Sequence, residues 1–82
     1  MTIQGIYCIE NTTNNKKYIG SSCDIYNRWA THKYQLRRNT HANKHLQSSW
    51  ELYGEEKFRF GILEELAGVT EELMLEREKD IS

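Results

Sequence analysis

Two short runs rich in Ile and Tyr, Ile3 to Glu10 and Lys16 to Ser21, stand on either side of Asn11-Thr12-Thr13-Asn14-Asn15. β-Branched and aromatic residues suit a pleated, half-buried surface, and asparagine tolerates the left-handed backbone that tight reversals need. The pattern predicts a β-hairpin with Tyr7 and Tyr18 on neighbouring strands, both hydroxyls at one face. Such a pair is also ordinary cross-strand packing, so the hairpin by itself names no chemistry.

After the hairpin the period changes from two to 3.6. Ile25, Trp29, His32 and Leu36 recur at i, i+4, i+7 and i+11, a stripe suited to burial against a sheet. Ser22 is placed to cap this helix, with Asp24 in the first turn, where a carboxylate meets the positive end of the helix dipole. Arg28 lies beside the stripe, one turn before His32, so the two side chains share an edge of the helix. Arg37-Arg38-Asn39-Thr40 ends it and leads into a polar connection through His41. A second helix is expected from Ala42–Lys44 to Tyr53, with Leu46, Trp50 and Tyr53 inward and Gly54 at its C-terminal end. Lys57 to Leu63 alternates as a third strand, with Phe58, Phe60 and Ile62 on one face, and Glu64-Glu65 returns it to the surface. Thr70 caps a last helix whose Leu73, Met74, Arg77 and Ile81 mark one side, with Leu75 and Glu78 on the adjacent side. The order ββααβα predicts an α+β domain, with three strands flanked by three helices.

Composition bounds this reading without redirecting it. Eighty-two residues, 38% of them hydrophobic and 28% charged, make one small globular domain. No apolar run approaches the roughly 20 residues of a membrane span, and the N-terminus has no basic-then-apolar secretion signal. With Cys8 and Cys23 outside any paired-cysteine spacing, the expectation is a cytoplasmic, intracellular chain with reduced thiols.

Charge changes the picture more. The net value is −1, but Arg28 to Trp50 holds five Lys and Arg and no acid, whereas from Glu51 onward ten Asp and Glu face four Lys and Arg. One positive face could then hold a phosphate backbone despite the neutral total. A basic solvated helix beside an acidic one accounts for the same counts. His41 and His45 with Cys8 or Cys23 do not make zinc-site spacing. Trp29, Trp50, Tyr53, Phe58 and Phe60 have the spacing of core packing rather than of base stacking.

Several separated features together resemble the GIY-YIG nuclease domain. They are Gly5-Ile6-Tyr7, Tyr18-Ile19-Gly20-Ser21, Arg28-Trp29 with His32, His41, Trp50 with Tyr53-Gly54, Phe58 to Glu64, and Glu76-Arg77-Glu78. The asparagine-rich turn is most similar to the nuclease domains of phage and intron homing endonucleases. The resemblance implies a three-stranded antiparallel sheet flanked by helices and metal-dependent hydrolysis of DNA phosphodiesters, with DNA as partner and Mg²⁺ (Mn²⁺ as substitute) as cofactor. It places catalytic roles on Tyr7, Tyr18, Arg28, His32, His41 and Glu78, with Glu78 as the metal ligand. His41 corresponds to a position functional in the homing branch alone. Glu76 is passed over because the pattern puts the ligand directly after the arginine.

The chemistry fits those residue types. Arg28 offers a planar fork to phosphate oxygens, and Glu78 an oxygen ligand to a hard cation, in a one-metal arrangement. Tyr7 is the candidate general base, although a phenol titrating near 10 needs help at neutral pH. His32 taking the proton, with Tyr7 positioning the water, is equally compatible with the sequence. Tyr18 is expected to support Tyr7 or to contact phosphate. Residues 1–82 are expected to form a single domain, monomeric in isolation, that stops short of the family's usual C-terminal segment and its asparagine. Weak, unspecific DNA binding follows from that expectation. A catalytically impaired nucleic-acid- or protein-binding module of the same fold is the competing reading.

Overall fold

The computed structural model describes residues 2–81. The elements run β1 (Gly5–Asn11), β2 (Lys16–Ser22), α1 (Ile25–Arg37), α2 (Lys44–Tyr53), a 3₁₀ turn (Glu55–Lys57), β3 (Phe58–Glu65) and α3 (Glu71–Ile81). The strands form one antiparallel sheet in the order β2-β1-β3. The hairpin's first strand is therefore central, and nearly every residue of β1 is buried.

Strand alternation divides that burial. Tyr7 and Ile9 point to one face, where they pack with Ile25 and Leu36 of α1 and with Leu46 and Trp50 of α2. Tyr18, Phe58, Phe60 and Ile62 join this cluster from the flanking strands. Trp50 meets Phe58 with ring centroids 5.1 Å apart, and Trp29 meets Phe60 at 5.8 Å. These aromatics are core, as their spacing implies. On α3, Met74 is the buried residue, and the helix packs against β1 and β2.

Gly5 is required by close approach. A Cβ there would overlap the carbonyl oxygen of Glu64 on β3, beside the register shift between Ile6 and Tyr7. Such a shift changes the local twist and re-aims the side chains next to it, and Tyr7 is one of them.

The elements differ from expectation at three places, each with a local cause, while α2 starts at Lys44, within the expected Ala42–Lys44. Asp24, not Ser22, caps α1: its carboxylate accepts from the Asn27 N–H at 3.3 Å, while Ser22 Oγ accepts from the Asp24 N–H at 3.0 Å. Asn43 caps α2, accepting from the Leu46 N–H at 3.1 Å. A 3₁₀ turn follows Gly54, and β3 continues through Glu65 because it pairs with β1 along its length. On α3, Leu73 is 53% exposed and Arg77 is also outside, whereas Met74, Glu78 and Ile81 are the more buried positions. The inward side is thus the i, i+4, i+7 line through Met74, which carries Glu78 with it.

Candidate active site

Tyr7 owes its place to the central strand. It is 4% exposed, and its register partner on β2 is Gly20. A Cβ on Gly20 would lie 2.5 Å from the Tyr7 hydroxyl oxygen and 2.6 Å from Cζ, so the phenol lies directly across that glycine. Tyr18 pairs with Ile9, so the two tyrosines are diagonal neighbours on one face. The Tyr18 hydroxyl is 3.3 Å from Ser49 Oγ on α2.

The stripe on α1 brings His32 to Tyr7, with Nε2 2.8 Å from the hydroxyl oxygen. His41, 6% exposed in the connection before α2, closes on the other side, with Nε2 2.7 Å from His32 Nδ1. The two imidazole planes are 25° apart with centroids at 4.9 Å. The short N···N distance makes this an edge-to-edge contact rather than face-to-face stacking. His41 Nδ1 is 3.0 Å from the backbone N–H of Asn43.

This chain of contacts has a direction. A backbone N–H can only donate, so His41 Nδ1 carries no proton, and the proton of the neutral ring sits on Nε2. That nitrogen donates to His32 Nδ1, which puts the His32 proton on Nε2, facing the Tyr7 oxygen. The phenol oxygen is therefore an acceptor in this pair. Both rings are neutral near pH 7. His32 is held down to about 4, first by burial and then by the charges of His41 and Arg28. Burial also lowers His41, with Arg28 contributing. Hydrogen bonding at the Asn43 backbone would raise the His41 value if its carbonyl accepted from the ring. The geometry has the N–H donating instead, and that favours the neutral form.

Arg28 and Glu78 both act on the same phenol. Burial raises the Tyr7 pKa above its ordinary value, hydrogen bonding and positive charge from Arg28 lower it, and the charge of Glu78 raises it further. Burial wins, so the resting phenol is protonated. The tyrosine, the arginine and the glutamate, from β1, α1 and α3, thus share one neighbourhood. Arg28 itself is exposed and stands between two clefts. One, of about 410 Å³, is lined by Arg28, Thr31, His32, Gln35, His41, Ala42 and Asn43. The other, of about 330 Å³, runs from Ser21 and Ser22 past Arg28 and Thr31 to Glu71. A smaller hollow of about 90 Å³ reaches Tyr7, Tyr18 and Gly20 and shares His32, His41 and Asn43 with the first cleft.

The donor set suits a hard, hydrated cation better than zinc. Among the described residues no three His, Cys, Asp or Glu gather as a metal cage. His45 and Cys23 are exposed while His41 and Cys8 are buried. One carboxylate beside a buried phenol and an arginine matches an ion that keeps most of its waters. The basic stretch is partly consumed: Arg37 makes a two-point pair with Glu55, and Lys33 lies over the Phe60 ring. Arg28 is left as the cation at the clefts.

Two contributors have no signature in the motifs or stripes of the sequence. Asn43 supplies a backbone group, and Gln47 has the look of any polar residue on a helix. The i, i+4 relation of Asn43 to Gln47, ahead of the inward Trp50, is the available signal.

The chain matches the family model described as the GIY-YIG catalytic domain over residues 3–81. It is 42% identical over 74 residues to intron-associated endonuclease 1 of Enterobacteria phage T4, covering 90% of this chain and 29% of that protein. It is 43% identical over 60 residues to the probable intron-encoded endonuclease 1 of Neurospora crassa, covering 73% of this chain and 18% of that protein. Among solved structures, the catalytic domain of the homing endonuclease I-TevI superimposes with a TM-score of 0.89 at 38% identity, over 95% of this chain and 83% of that one. A variant of that domain with a glutamate replaced by alanine gives 0.88 at 38% identity, over 96% and 79%. The chain thus spans less than a third of the two curated relatives and nearly all of it lies on the catalytic domain. With fold, family model and relatives in agreement, the chain belongs to the GIY-YIG catalytic-domain family.

Proposed function

We propose that this domain hydrolyses DNA phosphodiesters with one divalent metal ion, Mg²⁺ by preference, as the catalytic part of a homing-type endonuclease. The observation that carries the reading is the placement of the buried Tyr7 hydroxyl, 2.8 Å from His32 Nε2 and within reach of the charges of Arg28 and Glu78.

A scissile phosphate in the clefts beside Arg28 would meet the guanidinium fork, which pairs with non-bridging oxygens and offsets charge that grows in the transition state. Glu78 would hold the ion through a carboxylate oxygen. An ion held there would supply positive charge to the phosphate and would offset the upward push of Glu78 on the phenol. Tyr7 is then the group that removes a proton from the attacking water. Its oxygen already accepts from His32 Nε2–H and is lowered by Arg28, so two donors favour the phenolate. His32 is poorly suited to be the base itself, because the nitrogen facing Tyr7 already carries a proton and the ring titrates at about 4. His41 holds His32 in that tautomer. Tyr18 lines the same hollow as Tyr7, with its hydroxyl 3.3 Å from Ser49 Oγ.

Nicking of supercoiled plasmid tests the reading. Mg²⁺-dependent nicking, abolished by EDTA and by Glu78→Gln, is the expected result. Plasmid left intact by the chain within its full-length protein would favour a binding module of the same fold.

A further inference from the structure

Gln47 takes no part in the chemistry above, yet it is 4% exposed and both ends of its amide are used. Its Oε1 accepts from the His41 backbone N–H at 3.1 Å, and its Nε2 donates to the Leu36 carbonyl at 3.0 Å. With an N–H on one side and a carbonyl on the other, the amide has a single orientation. Leu36 belongs to the last turn of α1, and its carbonyl also accepts from the Asn39 backbone N–H at 3.3 Å just past the helix. One side chain on α2 therefore ties together the helix that carries His32 and the loop that carries His41.

The His41 ring gets its direction from its surroundings. Its tautomer is set where Nδ1 meets the Asn43 N–H, and that meeting depends on where the His41 main chain sits. Asn43 is itself held as the cap of α2, four residues before Gln47. A shift of the loop by a fraction of an ångström would break the contact and free both imidazoles to exchange tautomers.

We propose that Gln47 is a positioning residue for the proton chain, holding the His41 main chain where Asn43 meets Nδ1 and so keeping both rings aimed as donors toward Tyr7. The effect on cleavage rests on the nuclease reading, whereas the effect on the rings does not.

Long-range ¹H–¹⁵N spectra of histidine-labelled protein at pH about 7.5 report the tautomers directly. In the unaltered chain, His32 and His41 are expected to be protonated at Nε2. Gln47→Met removes both hydrogen bonds at nearly constant volume. It is expected to give mixed tautomers at both rings and a kcat for nicking lowered about ten- to hundredfold with KM little changed. Gln47→Asn, whose shorter amide cannot span both partners, is expected to do the same and serves if Met at this site prevents folding. A folded variant with unchanged tautomers overturns the proposal whatever its rate, as do Nδ1-protonated rings in the unaltered chain. Failure of both variants to fold also overturns it, since a positioning role requires a fold that survives the loss. If the chain within its full-length protein does not nick DNA, the functional reading fails and the spectra still decide the role of Gln47.

Discussion

At Tyr7 and His32, burial opposes ionisation in both directions: the phenol resists losing its proton and the imidazole resists gaining one. For His32 this has a consequence for stability. The ring titrates at 6.5 in the unfolded chain and at about 4 in the fold. Between those values the unfolded chain binds a proton that the fold refuses, so stability complete above pH 6.5 declines as pH falls toward 4. The direction of the shift fixes the sign of this loss, and solvent around the half-buried ring keeps it below the full value of the shift. Urea midpoints measured from pH about 7 to pH about 4 should show the decline, and His32→Gln should flatten it. Tyr7→Phe keeps the ring and removes the oxygen. It should lower single-turnover nicking by about 10²- to 10⁴-fold. The stranded His32 N–H costs roughly 1 kcal/mol, readable in the same urea titration. If Tyr7→Phe retained activity while His32→Ala lost it, the base would be the imidazole.

Elements position these groups through contacts that a residue pattern only half discloses. The pairing of β1 with β2 lays the phenol across Gly20, so Gly20→Ala places a methyl within 2.5 Å of the hydroxyl oxygen. The ring must move. The variant should fold with a loss of about 1 to 3 kcal/mol and cleave far more slowly, as measured by thermal melting and nicking. Helix α3 offers a contrast between neighbours. Arg77 lies outside, 2.7 Å from Glu64 in an exposed ion pair, and exposed pairs contribute little. Glu78, the next residue, turns toward the sheet. Arg77→Ala should leave the urea midpoint nearly unchanged and the domain active, whereas Glu78→Gln should silence nicking. Equal loss from both would mean that the ion pair sets the pose of α3.

Over the whole molecule, charge is arranged so that the clefts beside Arg28 hold a cation while much of the C-terminal half is acidic. Neutralising one phosphate fewer reduces the slope of log affinity against log salt by about one. Arg28→Ala should therefore weaken binding of a short duplex and shallow its salt dependence by that amount, as titrated by fluorescence anisotropy across a salt series. A slope unchanged by the substitution would place the DNA backbone elsewhere. No helix among the described residues is long and apolar enough to cross a membrane.

Local pattern determined the order of elements, because alternation in β1 and β3 and the 3.6-residue stripe in α1 are properties of neighbours along the chain. Resemblance to the GIY-YIG family, not local pattern, singled out Tyr7, Tyr18, Arg28, His32, His41 and Glu78. Folding decided how they face one another. Which strand is central depends on β3 returning to pair with β1 from some fifty residues away. Which side of α3 turns inward depends on where Met74 finds a pocket. The direction of the proton chain depends on a backbone N–H at Asn43, and its steadiness on a glutamine whose only mark in the sequence is its spacing from Asn43 and Trp50. Those interactions join positions that sequence spacing leaves independent, because hydrogen bonds between the loop, α1 and α2 form only when the three are packed together.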